Sequence, residues 1–345
     1  MQDRQASPAI VDDSPTTKVM SFFKNILVSY FNDDGIKFAA STVVGVTLAV
    51  AFNPVDRALY LAQTTGRRFL STANFSHPFE GFRAAMFQRI ISGGSYFFLQ
   101  GLAEAYIVPL LRSEGGANHY RERIGVGFCA GALNGLLLNP LSAIKSNMWS
   151  ESERIRAIKT KLAPTEDKRH KNNLIKQQIS FFKSSRAMCL AGGVAAFYRG
   201  LPAMVWRELQ YSVPYEVTRY MLRIYLHDDK NKMRDFGCRV ISDSIGGGVG
   251  AVAASVPNFV RSLQYHAPLH EKEPTVIECL ITLNNKVMQA EYKFLTLRQT
   301  LCLGPGTGRV AISSALGQGL FKFVVDKLTD AQKQAQVEPS VKPTW

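Results

Sequence analysis

Apolar residues gather into six long segments separated by polar stretches, over about Lys37–Gln63, Ala84–Leu111, Gly125–Trp149, Phe197–Leu226, Phe236–His266 and Gly304–Leu328. A helix that crosses a bilayer needs about 20 residues, so each segment is a candidate span. None is a pure run of Leu, Ile and Val; all mix Gly, Ala, Ser and aromatics. That composition suits helices packed closely together or lining a polar cavity. The apolar stretch Ser21–Phe31 predicts a short leading helix, Ile179–Ala196 an amphipathic helix, and the mixed stretch His270–Arg298 another short helix. Residues 1–20 and 331–345 are polar and predict disordered tails.

Three of the segments share one signal. Asn53-Pro54-Val55-Asp56 opens a stretch ending at Gln63, with weaker echoes at Asn139-Pro140-Leu141-Ser142-Ala143-Ile144-Lys145 and Pro257-Asn258-Phe259-Val260-Arg261-Ser262. A proline removes one helical hydrogen bond and kinks the helix, which makes Pro54, Pro140 and Pro257 predicted kinks. An acid such as Asp56 at membrane depth is costly and therefore a functional candidate. Gly45, Gly131 and Gly248 each stand nine residues before their proline. Ser41, Gly45 and Ala49, like Gly127, Gly131 and Gly135, recur every fourth residue and give faces for close helix contact. The pattern predicts an all-α membrane protein with six transmembrane helices in three two-helix repeats, over 21–118, 119–230 and 231–330. Both termini then lie on one side of the membrane, and the loops after spans one, three and five on the other.

Charge narrows the function. The 345 residues carry a net charge of +14, which fits either nucleic acid or an anionic membrane. Many of the basic residues crowd into Arg154–Arg186, between two apolar segments, as the positive-inside rule expects of a membrane protein. A solvated loop is compatible with the same charge. The five cysteines are scattered without a Cys-x-x-Cys, and His266 and His270 are flanked by Pro268 and Pro274, so neither a disulfide framework nor a metal or other cofactor is expected. Gly304-Pro305-Gly306-Thr307-Gly308-Arg309 lacks the Gly-Lys-Ser/Thr ending of a phosphate loop and reads as a helix start. No nucleophilic constellation is visible, and no enzyme is expected.

These residues resemble the mitochondrial carrier family. Pro54-Val55-Asp56 through Gln63 is similar to that family's odd-helix signature. Phe197-Tyr198-Arg199-Gly200 through Glu208 resembles its aromatic-Arg-Gly run into an even helix, and Leu303-Gly304-Pro305 through Val310 the start of its sixth helix. The resemblance spans roughly residues 20 to 328. It implies a pseudo-symmetric bundle around a central cavity that closes alternately on either side.

By that resemblance, a matrix gate joins the acid of one odd helix to the base of the next. Here the matched positions are Asp56 with Lys145, Ser142 with Ser262, and Phe259 with Leu59: one ionic pair, one polar and one apolar, with Gln63 bracing the ionic one. The second gate, at the other face, is nearly absent; its positions are Tyr220 and Arg223, Lys322 and Val325, and on helix two Gly101 and Glu104. Substrate positions fall at Gln88 or Arg89, at Arg207-Glu208, and at Arg309. Arginine forks suit carboxylate or phosphate groups, and the Arg-Glu pair resembles that of family members carrying amino acids or carnitine. Arg207 with Glu208 also reads as a purely structural pair, and Arg89 as snorkelling.

The leading expectation is alternating-access exchange or uniport of a small charged metabolite, amino-acid- or carboxylate-like, across the mitochondrial inner membrane or a peroxisomal or other organelle membrane. The resemblance implies a monomer in contact with lipid such as cardiolipin, and no nucleic acid. The competing expectation is a non-transporting membrane scaffold or adaptor of the same fold.

Overall fold

The structure is a computed structural model in which residues 33–111, 119–161, 181–226 and 232–337 are described. Among them every regular element is helical: α1 Asp33–Thr65, α2 Phe82–Leu111, α3 His119–Lys161, α4 Phe181–Gly192, α5 Leu201–Leu226, α6 Lys232–Ala253, α7 Ser255–His266, α8 Val276–Met288, α9 Lys293–Thr300 and α10 Pro305–Val337, with 3-10 turns at Thr72–Phe75 and Gly193–Tyr198. Two compact units are distinguished. The larger is Ser41–Leu320; the described part of the smaller is residues 33–40 and 321–337.

Among the described residues, three stretches are long and apolar enough to cross a membrane, namely Gly35–Thr65, Arg121–Ile155 and Phe181–Leu226. A fourth qualifies if α6 and α7, bent by 59° at their junction, form one broken span. Pro257 causes that break. It has no N–H for the Ala253 carbonyl four residues earlier, so the helix stops at Ala253 and restarts at Ser255. Pro54 and Pro140, by contrast, lie inside the uninterrupted α1 and α3. The predicted spans appear as helices, but several boundaries move. Helix α3 continues to Lys161 into the basic stretch, and α10 continues to Val337, so residues 331–337 are helical rather than a tail. His270–Arg298 holds two helices, α8 and α9, not one. The Ser21–Phe31 segment and the 1–20 tail lie outside the described residues.

The small-residue faces are contact faces. A Cβ on Gly45 would stand 2.9 Å from the backbone oxygen of Arg89, which shows how closely α1 lies on α2. One on Gly131 would stand 3.2 Å from the Glu208 carbonyl, and one on Gly135 3.2 Å from Val205 Cα, which sets α3 against α5. Gly250 does the same for α6 against Tyr211 of α5, at 2.8 Å.

One arrangement occurs twice. Asn53, just before Pro54, donates from Nδ2 to the Pro78 carbonyl at 2.8 Å. Gly81 follows that carbonyl by three residues, with φ +72°, and Trp149 fills the space where its Cβ would be. Asn139, just before Pro140, donates from Nδ2 to the Phe197 carbonyl at 2.8 Å. Gly200 again follows by three, with φ +68°, and Tyr265 fills the corresponding space. Each left-handed glycine lets the chain turn tightly into the next long helix under a ring from the following odd one.

The elements after α7 close over its outward face. Phe259 packs with Leu283 and Leu301, and Val260 with Ala203 and Cys279. Helix α8 starts on a capping box in which Thr275 Oγ1 accepts from Glu278 N and Glu278 Oε2 accepts from Thr275 N. The bond from the Thr275 N–H, aided by the Thr275 side chain, holds the exposed Glu278 carboxyl below its usual range.

Candidate functional site

Asp56 sits just past Pro54 on α1, three-quarters buried. Its Oδ2 accepts from Arg309 Nη2 of α10 at 2.6 Å and lies 3.6 Å from Arg89 Nη2 of α2. Arg309 also donates from Nη1 to Ser313 and lies over the Phe52 ring at 5.1 Å. Two of the expected substrate arginines therefore meet at the expected gate acid.

The expected Asp56–Lys145 ion pair is absent. Lys145 Nζ donates to Gln88 Oε1 at 2.5 Å and lies over the Trp149 ring at 5.1 Å, while Gln88 Nε2 donates to Ser142 Oγ at 2.8 Å. Gln88 thus ties α2 to two gate positions of α3. The two arginines already satisfy the carboxylate, and Gln88 offers Lys145 a nearer oxygen.

The other two gate pairs are replaced as well. Ser262 does not bond Ser142; its Oγ donates to Gln63 Oε1 at 2.9 Å, and Asn258 Nδ2 donates to the same oxygen at 3.3 Å. Gln63 therefore joins α1 to α7 rather than bracing Asp56. Phe259 does not meet Leu59. It is buried against α8 and α9, whereas Leu59 lies beside Gly306 at the start of α10. The break before Pro257 turns the face of α7, so that Asn258 and Arg261, not Phe259, lie on the side of Gln63 and Met204.

Arg207 and Glu208 pair with each other through Nη1 and Oε1. Glu208 is buried and its Oε2 also accepts from Asn134 Nδ2 at 3.4 Å. Toward the far end of α5, Arg223 pairs with the fully buried Asp243 of α6 at 3.1 Å, and Arg219 lies 3.6 Å from Asp243 and 3.3 Å from Glu216. This cluster stands near the expected second gate, but it joins α5 to α6. The side chains of Gly101 and Glu104 lie outside the described residues, and Lys322 and Val325 belong to the smaller unit.

Two networks near the loops escaped the sequence reading. Arg57, fully buried, donates to the Asn74 carbonyl at 2.9 Å, to Glu80 at 2.8 Å and to Glu153 at 3.2 Å, and Arg67 adds a second bond to Glu153. Tyr60 Oη lies 2.5 Å from Ser150 Oγ, which in turn lies 3.2 Å from His266 Nδ1. Arg154 donates to the His266 carbonyl, and the Tyr60 ring lies 5.3 Å from that of Trp149. Three odd helices, α1, α3 and α7, meet at this hydroxyl–imidazole chain. The signal in the sequence was slight: a base directly after Asp56, and polar residues about two to three turns beyond the prolines.

Among the described residues no cluster of His, Cys, Asp and Glu has metal-binding geometry. The arrangement brings arginines and carboxylates of α1, α2, α5 and α10 together inside apolar helices.

Residues 117–230, covering α3, α4 and α5, match the mitochondrial carrier protein family profile. This third of the chain is a mitochondrial carrier domain. Members of this family are membrane transporters of solutes rather than enzymes, and the apolar helices of this chain fit a membrane protein. A search of curated proteins found no match.

Proposed function

We propose that this protein is a carrier that moves a small anionic metabolite with carboxylate or amino-acid chemistry across the mitochondrial inner membrane by alternating access. In this reading six spans in three repeats surround a central cavity, α2 and α10 supply the second and sixth spans, and the protein works as a monomer among lipids such as cardiolipin. The doubled Asn-Pro and left-handed glycine arrangement supports the repeat.

The observation that carries the proposal is the meeting of Arg89 and Arg309 on Asp56. One carboxylate faces two guanidinium groups, which leaves a positive charge over inside an apolar bundle, where such charge is costly without a function. An incoming carboxylate replaces or joins Asp56 on those arginines, and Gln88, Arg207 and Glu208 line the same approach. Exchange of the resident carboxylate for the solute's is a switch that favours a different helix arrangement only when solute is bound.

The test is counter-exchange of labelled carboxylates and amino acids by the purified protein in liposomes. Arg309→Ala and Arg207→Ala are each expected to lower exchange about a hundredfold, the scale for leaving a buried charge without its partner. A folded protein that exchanges none of a broad panel, and that no anion stabilises against heat, refutes the proposal.

A further inference from the structure

Among the described residues Arg261 has no carboxylate partner, although it lies inside the bundle on α7. Its Nη2 donates to Asn258 Oδ1 at 2.7 Å, its Nη1 faces the weak acceptor Met204 Sδ at 3.2 Å, and its Nε is buried without any acceptor. The Tyr265 ring lies 5.7 Å away on the same helix. Only one of the guanidinium's five donors therefore meets an oxygen.

Met204 precedes Arg207 and Glu208 on α5 by one helical turn, so Arg261 is set about 5 Å along the helix from that pair. The neighbouring ion pairs set Arg89 and Arg309 on Asp56 and Arg207 on Glu208. With Arg261 these are four arginines against two carboxylates, an excess of two cations. A single carboxylate leaves one of them without a counter-charge.

We infer that Arg261 is a second anionic anchor, and that the solute carries at least two anionic groups, one received by Arg89 and Arg309 and the other by Arg261, one helical turn from Arg207. The inference rests on the transport reading and narrows it from any small anion to a dicarboxylate or a molecule of like charge. The turn of α7 behind Pro257 creates the anchor, because it brings Arg261 rather than Phe259 toward α5.

The test uses the purified full-length protein with butyrate, succinate and inorganic phosphate as probes, read by ligand-dependent melting and by exchange in liposomes. Succinate is expected to bind at least about tenfold more tightly than butyrate, the scale of one added charge-assisted contact. Arg261→Gln is expected to erase that ratio while leaving butyrate affinity unchanged, and Arg261→Lys to keep part of it. Equal affinity for the two acids in the wild type, or an Arg261→Gln variant that weakens both equally, overturns the anchor and leaves anion transport standing. If no probe is bound or exchanged, the transport reading falls and the anchor with it. Phosphate binding without succinate preference identifies a single-anion site and also overturns the inference. Melting without ligand checks that Arg261→Gln folds; if it does not, the wild-type ratio and Arg261→Lys decide.

Discussion

Arg309 donates from Nη2 to Asp56 Oδ2 at 2.6 Å across 253 positions of the chain, and Arg89 reaches the same oxygen at 3.6 Å. The carboxylate neutralises charge on α2 and α10 at once. Asp56→Asn removes that charge and leaves two largely buried arginines facing each other, so it is expected to destabilise the protein by about 3 kcal/mol, the lower end for breaking a buried pair. A double-mutant cycle with Arg309→Ala should show a coupling of about 1–3 kcal/mol, whereas the cycle of Asp56→Ala with Lys145→Ala should stay near 0.5 kcal/mol or below. Thermal or denaturant melting in detergent gives both values. Stronger coupling to Lys145 than to Arg309 contradicts this geometry.

Arg57 stands next in the chain yet belongs to a different network. It is fully buried and joins the Asn74 carbonyl, Glu80 and Glu153, which ties α1 to the first loop and to the end of α3. Arg57→Met keeps much of the volume but leaves two acids short of a partner at this point. A loss of about 3–5 kcal/mol is expected. Arg67→Ala, which removes an exposed contact to Glu153, should cost less than about 1 kcal/mol. Melting of the two variants side by side checks the difference.

The helices were legible because their causes are local. Asn53-Pro54 and Asn139-Pro140 are short motifs that make the same bond to a loop carbonyl, and glycines at fixed offsets mark close helix contacts. Matching gate positions by counting from each proline failed at Phe259, because counting assumes an unbroken helix. Pro257 interrupts the ladder at Ala253, and the 59° bend changes which side chains face inward. The partners of Asp56 were hidden for a different reason. A carboxylate within reach of three cations takes the nearest ones, and that choice depends on side-chain reach across helices. Arg57 was missed because its partners lie far along the chain, 17 and 23 residues away in the first loop and 96 residues away near the end of α3.

Helix approach gives a prediction with an internal control. Gly45→Ala places a methyl group 2.9 Å from the Arg89 carbonyl oxygen, which is backbone and cannot rotate away. The expected cost is about 1–3 kcal/mol, as for overpacking elsewhere, together with slower exchange because Arg89 is pushed off Asp56. A Cβ on Gly308 would meet nothing within 4 Å. Gly308→Ala is therefore expected to stabilise α10 by about 0.5–1 kcal/mol. Melting temperatures that move in the same direction for both variants refute the contact.

The cysteines report the loop-side packing through pH. Cys279 of α8 and Cys302 after α9 are buried, and burial pushes each thiol up from an ordinary value of 9.0 to about 11. The thiolate is the species that reacts, so at pH 8 both are expected to react about a hundredfold more slowly than an ordinary thiol, before any steric protection is counted. The sign is fixed by the direction of the shift. A raised thiol stays protonated through neutral pH, and its reaction rate climbs about tenfold for each pH unit until about pH 11. Cys189 is exposed on α4 and is the cysteine expected to be labelled first. Mass spectrometry after timed maleimide treatment at pH 7, 8 and 9 separates the sites. Early labelling of Cys279 at pH 7 requires that α8 leave α7, where Val260 and Ala203 cover that thiol, and refutes the packing described here.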